Sequence, residues 1–316
     1  MKASVIVPTF KRFHQFVRCI NSLLNQSLDP NAYEIIAVHD GFDHNYNLKW
    51  IAGIMAKYKN FCFYTKTWEG VSAARNYAID KSQGDYILMI DDDCEAHFEW
   101  IETMVKFLEN NPDISAAGGQ VLAIAPITSV QRYVKFKNLL RRPVKDRYGQ
   151  VVTIITANAI YRRSVIESIG TFSMIFTKNG IPCGGEDLDL AFRASRVGKL
   201  GYCDKAIVKH DHRSTLLSLI IQHFNYGRGV FLACVENKIN YHRLKFRRPT
   251  IWNLFVHMIV SVIRIYTISI PEYKEKCLSW HFYIEYFCLD LLRRNLFMFG
   301  AVYEFYKNRG DNYESW

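Results

Sequence analysis

The first ~120 residues alternate between short apolar runs and segments with helical spacing, and this alternation limits the fold more than any other feature of the chain. Strands are predicted at Lys2–Val7, Tyr33–His39, Phe61–Lys66 and Tyr86–Ile90, and helices at Phe13–Leu28, Leu48–Tyr58, Val71–Lys81 and Phe98–Leu108. Repeated strand–helix units of this kind produce an α/β fold with a mostly parallel sheet covered by helices. Such sheets bind ligands at the carboxyl ends of their strands, so residues at those ends are the first site candidates.

Three consecutive acids, Asp91, Asp92 and Asp93, directly follow the fourth apolar run. Carboxylates packed this closely repel one another and raise each other's pKa. Hard ions such as Mg²⁺ or Mn²⁺ remove that repulsion through oxygen ligands, which they often share with substrate phosphates. The cluster therefore indicates a metal that holds a phosphorylated substrate, and the alternative is a solvated, aspartate-rich turn. Thr9 and Asp40 follow earlier strands and should converge on the same sheet edge, which favours the metal.

Composition limits the class of protein. A chain of 316 residues that is 49% hydrophobic and 22% charged is globular and forms one large domain or two. Its eight cysteines include no C-x-x-C pair, which argues against zinc and dithiol redox sites and favours a reducing compartment. We recognise no secretory signal at the start and therefore expect a cytoplasmic protein.

A basic run lies in the middle of the chain. Between Gln131 and Arg147 there is one acid, Asp146, and the basic residues are Arg132, Lys135, Lys137, Arg141, Arg142, Lys145 and Arg147. Such a run usually forms a solvated or mobile face, which is our expectation. The alternative is a loop that meets an anionic acceptor or lipid phosphates.

The last third of the chain is basic, aromatic and apolar. Residues 213–316 hold 14 Lys and Arg against 8 Asp and Glu, which is over half of the net charge of +10. Within Ile251–Ile270 the polar residues Asn253, His257, Ser261 and Arg264 form a narrow stripe on one helix face. A central arginine costs a spanning helix about 2.5–3.5 kcal/mol. The stripe therefore favours a helix in the membrane interface or packed on a partner.

We accordingly predict that the tail associates with the inner face of the cell membrane. The alternative is a helical subdomain packed on the main core. An oligomer is a further open alternative, since the striped helix could form an interface.

A second acidic group opens a predicted helix after Gly184 and Gly185. Glu186, Asp187 and Asp189 lie in its first turn, where acids complement the helix dipole, and this is the structural alternative to a catalytic role. Asp189 and Arg193 are four residues apart, which predicts a helix-stabilising pair.

Four blocks in this order resemble the family 2 glycosyltransferases, the inverting, nucleotide-sugar-dependent enzymes of GT-A fold. They are Val5–Arg12, Gly70–Ala78 with its Ala74-Arg75-Asn76, Gly84–Asp93, and Gly185–Arg193. The resemblance covers residues 3–212 and fades after Ser214. It implies a glycosyltransferase domain at 1–213, with a nucleotide-binding half at about 1–95 and an acceptor half at about 96–213, followed by a helical region at 214–316.

The resemblance also implies roles for single residues. The nucleotide-binding candidates are Pro8, Thr9, Phe10, Arg12, Asp40, Arg75, Asp91 and Asp92, with Asp40 on the base and Arg75 near the diphosphate. Asp93 and His210 would hold Mn²⁺ or Mg²⁺, with His212 as a second candidate. Asp187 would be the catalytic base, because inversion needs one carboxylate on the acceptor face, and Glu186 would orient the acceptor. The alternatives are a surface salt bridge for Arg75 and a structural role for His210.

Two departures from the family pattern narrow the expectation. His39-Asp40-Gly41 replaces a D-D-G-S pattern, which leaves UDP, GDP and dTDP sugars open as donors. Gln222–Tyr226 lacks the Arg and Trp of the Q-x-x-R-W motif of processive synthases, which favours transfer of one sugar to a glycan or lipid-linked glycan. The setting implied is cell-surface or exopolysaccharide assembly.

Two other functions are weighed against this one. A nucleotidyltransferase would carry a glycine-rich phosphate loop after the first strand, and Pro8–Arg12 contains no glycine. A non-catalytic nucleic-acid-binding protein could use the basic tail. We expect no nucleic-acid partner, because the positive charge is mild and the acidic clusters would repel phosphates.

Overall fold

The computed structural model describes residues 1–41, 47–139, 143, 145–146, 149–180, 183–239, 249–276 and 279–307, with the backbone alone at 178–180. These residues form two compact units. The sheet unit comprises residues 1–125, 138–182 and 186–212, and the helical unit comprises residues 126–137, 183–185 and 213–316.

The sheet unit is built on a mixed eight-stranded sheet. Its strands are β1 (Ala3–Thr9), β2 (Tyr33–Asp40), β3 (Phe61–Lys66), β4 (Tyr86–Met89), β5 (Cys94–Ala96), β6 (Ile114–Ala123), β7 (Ala159–Arg162) and β8 (Lys199–His210). Their order is β3-β2-β1-β4-β7-β6-β8-β5. The first four are parallel, β7 is antiparallel to β4 and β6, β6 and β8 are parallel, and β5 is antiparallel to β8. The expectation of an α/β sheet flanked by helices is confirmed.

The helices of both units are numbered along the chain. They are α1 (Phe13–Leu24), α2 (Leu48–Lys57), α3 (Val71–Lys81), α4 (Trp100–Glu109), α5 (Ser129–Lys137), α6 (Arg163–Ile169), α7 (Glu186–Ala194), α8 (Leu216–Glu236), α9 (Ile251–Arg264), α10 (Ile270–Glu275) and α11 (Trp280–Lys307). Helices α5 and α8–α11 belong to the helical unit. A π-helical turn, Ile265–Ser269, joins α9 to α10.

Two apolar layers cover the sheet. One packs Phe16 and Ile20 of α1 with Trp100 and Ile101 of α4, and the other includes residues of α3, α6 and α7. All seven residues of β1 are buried, as expected for a central strand covered on both faces. This layering places the carboxyl ends of β1, β2 and β4 along one edge.

Strands β5 and β6 were not predicted from the sequence. After Ile114, the first half of β6 reads Ser-Ala-Ala-Gly-Gly and lacks the β-branched and aromatic residues typical of strands. Its pairing with β8 shifts register between Gly119 and Gln120, opposite Cys203 and Ile207. Strand β5 has only three residues and depends on β8 for its hydrogen bonds. Both strands are therefore consequences of long-range pairing.

Asn158, which is fully buried, supports this irregular part of the sheet. Its amide nitrogen donates to the carbonyl oxygens of Gln120 and Ala206, each at 2.9 Å, and its Oδ1 accepts from the indole of Trp100 at 2.8 Å. A Cβ on Gly119 would lie 2.5 Å from that Oδ1, so the position requires glycine. One amide thus fixes β6, β8 and α4.

The helical unit contains close helix pairs and a buried charge. A Cβ on Gly227 would lie 1.8 Å from the Phe297 carbonyl oxygen, so α8 and α11 meet backbone to backbone. Asp290 of α11 is buried and accepts from the hydroxyls of Tyr133 and Tyr273, both at 2.7 Å. The nearby lysine Lys137 is 9% exposed and pairs with Glu272 at 2.5 Å.

Residues 131–137 form part of a packed helix, so the expectation of a solvated or mobile basic face is wrong for Lys137, whereas Lys135 and Lys145 are exposed. Arg141, Arg142 and Arg147 lie outside the described residues.

We predict that Asn158→Ala lowers the free energy of unfolding by at least about 3 kcal/mol, because an indole N–H and two carbonyl groups lose their buried partner. Chemical denaturation followed by circular dichroism measures this loss. Asn31→Ala is the control, since Asn31 is exposed and bonds only Asp29, and it should change stability by less than about 0.5 kcal/mol. Equal effects of the two substitutions would contradict the assignment.

Candidate active site

The predicted site residues lie at strand ends and at one helix start of the sheet unit. Thr9 and Asp40 end β1 and β2, and Asp91–Asp93 follow β4. His210 ends β8, and Glu186 and Asp187 begin α7. The parallel order β2-β1-β4 brings the first three positions to one sheet edge.

Asp92 is a buried carboxylate that fixes the loop after β1. Its Oδ2 accepts from the Thr9 hydroxyl at 2.7 Å and from the Phe10 N–H at 3.3 Å, and its Oδ1 lies 2.6 Å from the Arg12 guanidinium. Burial raises the pKa of Asp92 to about 7, against the opposing effect of the Arg12 charge. Asp92 therefore shapes the loop that holds Thr9, Phe10 and Arg12.

Asp93 and His210 form a group with metal-ligating potential. The His210 Nε2 lies 3.4 Å from Asp93 Oδ1, and Arg12 pairs with the other carboxylate oxygen. Cys94 stands directly opposite His210 in the β5–β8 pair, and one ligand atom each from Asp93, Cys94 and His210 lie within 4.8 Å of one another. A carboxylate oxygen with an imidazole nitrogen fits a divalent ion such as Mn²⁺.

Sequence reasoning missed Cys94, although its position directly after Asp93 was a usable signal. The His212 ring lies tilted against the His210 ring, with centroids 4.6 Å apart. Burial and the neighbouring His210 lower the pKa of His212 to about 3, so its ring is neutral at pH 7. Neutral imidazole is the form that binds metal.

Arg75 is buried and links two acidic groups. Its guanidinium lies 2.8 Å from Asp91 and 3.0 Å from Glu186, and it stacks over the Phe172 ring at 5.3 Å. With 4% of its side chain exposed, Arg75 is not part of a surface salt bridge. It therefore ties the end of β4 to the start of α7.

Asp187 is partly buried, and its Oδ1 accepts from the Leu188 N–H at 2.8 Å. Burial and the adjacent Glu186 raise the pKa of Asp187 to about 7, although Arg75 opposes them. Such a carboxylate can take up a proton near neutral pH. Asp189 instead pairs with Arg193 at 2.7 Å, as the four-residue spacing predicted.

Asp40 and Phe10 form a third group. The Asp40 carboxylate accepts from the Glu69 and Gly70 N–H groups at 3.0 and 2.7 Å and pairs with Lys66 at 3.2 Å. The Phe10 ring stacks on Trp68 with centroids 6.4 Å apart. Pro8 is buried within β1. Trp68 was not singled out from the sequence, because an isolated loop tryptophan carries no positional signal.

The structure thus joins the predicted residues in three contact groups. The first group consists of Thr9, Arg12, Asp92, Asp93 and His210. The second group consists of Arg75, Asp91 and Glu186, and Asp187 is next to Glu186 in sequence. The third group consists of Asp40 and the loop that precedes α3. The consecutive residues Asp91–Asp93 connect the first two. The arrangement can hold a cation, present arginines to an anion, and supply a carboxylate base.

Comparison with known proteins gives consistent matches. A family model described as Glycosyl transferase family 2 matches residues 4–170. The Haloferax volcanii glycosyltransferase AglE is 26% identical over 246 residues, which cover 76% of this chain and 77% of that protein. A glucosyl-dolichyl phosphate glucuronosyltransferase of the same organism is 34% identical over 179 residues, 54% of this chain and 56% of the relative.

Solved structures share the fold at low sequence identity. The mannosyltransferase PcManGT from Pyrobaculum calidifontis, in complex with GDP-Man and Mn²⁺, has a TM-score of 0.64 at 12% identity and covers 97% of this chain and 87% of its own. Residues 1–349 of S. aureus TarS, in complex with UDP, have a TM-score of 0.56 at 16% identity, covering 99% and 93%. The family model matches more than half of the chain, and the sheet is that of GT-A enzymes; this protein therefore belongs to glycosyl transferase family 2.

Proposed function

We propose that this protein transfers a single sugar from a nucleoside diphosphate sugar to an acceptor hydroxyl, with inversion at the anomeric carbon and with a divalent metal on Asp93 and His210. The observation that carries this proposal is the chain of contacts from Arg12 and Asp93 through Asp91 to Arg75 and Glu186. These contacts support a cation site that lies near the half-buried Arg12 and, through Asp91 and the buried Arg75, near the start of α7 with Asp187.

The donor is assigned to a UDP, GDP or dTDP sugar. Complexes of TarS with UDP and of PcManGT with GDP-Man support a nucleotide-sugar donor. Pro8, Thr9, Phe10 and Asp40 would line the nucleoside pocket, with the stacked rings of Phe10 and Trp68 as one wall. Asp91 would contact the nucleoside or the sugar.

The chain's own residues account for the steps of transfer. Asp187 would take the proton of the acceptor hydroxyl as that oxygen attacks the anomeric carbon, and Glu186 would orient the acceptor. Arg12 and Arg75 would lie next to the diphosphate and pair with its oxygens, which suit guanidinium groups. A bound Mn²⁺ or Mg²⁺ would supply Lewis-acid neutralisation of the departing diphosphate.

The acceptor is proposed to be a glycan or lipid-linked glycan at the cytoplasmic face of the cell membrane, in cell-surface or exopolysaccharide assembly. The domain assignment is a catalytic domain at 1–213 and a membrane-associating region at 214–316. A relative named for glucosyl-dolichyl phosphate supports a lipid-linked acceptor. The apolar segment Ile251–Glu275 is long enough to cross a membrane, and only 22% of its most apolar 18-residue stretch is buried, which supports the membrane setting.

A panel of UDP, GDP and dTDP sugars tests the function and its metal. We expect one donor to release nucleoside diphosphate slowly in Mn²⁺, and release to stop in EDTA and in Asp93→Ala. Calorimetry should show about tenfold weaker nucleotide binding in that variant. Glu95→Gln is the control, because Glu95 lies two residues away and its carboxylate pairs with the exposed Arg18. Nucleotide binding that is unchanged by EDTA would contradict the metal assignment.

Substitution of the base should affect chemistry and leave donor binding intact. We expect Asp187→Asn to lower kcat by about 10³-fold, within the range of general-base catalysis, with the donor Kd changed less than about threefold. Asp113→Asn, which removes an exposed carboxylate paired with Lys199, should retain wild-type kcat. If Asp187→Asn keeps more than about a tenth of kcat, another group is the base.

The raised pKa of Asp187 predicts a pH dependence. A base acts when deprotonated, so kcat should reach a plateau above about pH 7 and fall about tenfold per pH unit below it. Glu186→Gln removes a negative neighbour, which should lower the pKa of Asp187 and move the limb to lower pH. Glu109→Gln, an exposed substitution on α4, should leave it in place. If the acidic limb of the kcat–pH profile stays at the same pH or moves to higher pH in Glu186→Gln, Asp187 is not the group that titrates there.

A further inference from the structure

Helix α9 and the turn after it present an apolar surface to the outside of the helical unit. We define the α9 apolar face by its exposed large side chains: Ile251, Trp252, Phe255, Met258, Ile259, Val262, Ile263, Tyr266 and Ile268. Trp252 is 75% exposed and Tyr266 71%. Soluble monomers rarely expose a continuous apolar patch of this extent, so the face requires a partner.

His257 and Ser261 of the polar stripe lie on the packed side of this helix, whereas Arg264 at its end is exposed. Polar residues on the packed side reverse the usual arrangement of an amphipathic helix. Ser261 is 1% exposed, and the His257 Nε2 lies 3.1 Å from the Arg294 carbonyl oxygen of α11. Leu254 packs with Met298 and Val302 of α11. His257, Ser261 and Leu254 therefore attach α9 to its own unit, and the large apolar residues face outward.

Charge identifies the occupant of the face. No acid occurs from Ile251 to Pro271, and residues 243–276 carry seven Lys and Arg against two Glu. Arg264, Lys274 and Lys276 are exposed along or just after the helix. An apolar face with tryptophan and tyrosine, surrounded by cations, is typical of a helix held at an anionic lipid surface.

The neighbouring helix limits how deeply α9 can enter a bilayer. Helix α11 packs along α9 and carries Glu285, Asp290, Arg293 and Arg294 through its length. A helix with that many charges does not enter the hydrocarbon region, so α9 cannot cross it while attached to α11. Only the outward side of α9 is free to insert.

We propose that the α9 apolar face docks into one leaflet of a bilayer rich in anionic phospholipid, parallel to the membrane plane and without crossing it. The proposal rests on the membrane setting proposed above and adds the surface, its depth and the lipid charge. The side chains of Arg264 and Lys274 would extend to the phosphates while the apolar residues enter the acyl boundary.

Flotation of the full chain with phosphatidylglycerol–phosphatidylcholine vesicles tests the docking. We expect binding that weakens in high salt, is weak on phosphatidylcholine alone and is reversed by alkaline carbonate. The double variant Trp252→Glu/Ile259→Glu should lower the bound fraction about tenfold. Leu48→Glu is the matched control, since Leu48 on α2 is 63% exposed and Ile259 62%, and it should bind as wild type does.

A second variant keeps the test valid if the double variant folds poorly. Arg264→Glu changes an exposed side chain and should reduce binding to anionic vesicles alone, about fivefold, with circular dichroism unchanged. Normal binding by both variants would overturn the proposal. Resistance to carbonate would indicate a spanning helix instead. Absence of flotation, with a dimer that Trp252→Glu/Ile259→Glu dissociates, would assign the face to a second copy of the chain.

Failure of the docking proposal can be distinguished from failure of the proposed catalytic function. Donor hydrolysis in vesicle-free buffer depends on the sheet-edge residues, so it should persist in Trp252→Glu/Ile259→Glu and disappear in Asp187→Asn. Loss of vesicle binding in Trp252→Glu/Ile259→Glu with retained hydrolysis shows that the substitutions affect the docking surface and not catalysis. Loss of hydrolysis in Trp252→Glu/Ile259→Glu with retained vesicle binding would contradict the assignment of catalysis to the sheet-edge residues.

Discussion

The need to neutralise three adjacent carboxylates at the end of β4 governs the arrangement of the sheet edge. Asp91 meets Arg75 of α3, Asp92 meets the loop after β1, and Asp93 meets His210 of β8. Arg12 pairs with both Asp92 and Asp93. Like charges this close are tolerated only when compensated. The ion pairs and hydrogen bonds that compensate the three carboxylates therefore connect elements that are far apart in sequence. The fold and the candidate site depend on the same contacts.

Arg75 extends this network to the second half of the site. It lies between Asp91 and Glu186, so it relates the position of the cation site to that of the α7 start. The net result at α7 is a pair of acids of which Asp187 has a raised pKa. The buried Arg75 guanidinium thus helps to position the start of α7, and its charge opposes the rise in the pKa of Asp187, the proposed base. Replacing Arg75 would disturb metal, donor and acceptor groups together.

The parts predictable from sequence are those with local causes. Short apolar runs and helical spacing predicted β1–β4 and the four helices between and after them, and the parallel-sheet rule brought Thr9, Asp40 and Asp91 to one edge. The resemblance to family 2 glycosyltransferases is confirmed. Strands β5 and β6, Cys94 opposite His210, and the buried Asn158 were missed because each depends on pairing with β8 or β7. The outward apolar face of α9 likewise depends on which side α11 covers.

Anomalous diffraction from crystals soaked with Mn²⁺ and a nucleoside diphosphate tests the central claim most directly, because it locates the ion without relying on turnover. The account predicts a manganese peak within bonding distance of an Asp93 carboxylate oxygen and a His210 ring nitrogen, with the diphosphate next to the ion. A nucleotide bound with no manganese peak, or a peak away from Asp93, would contradict the account.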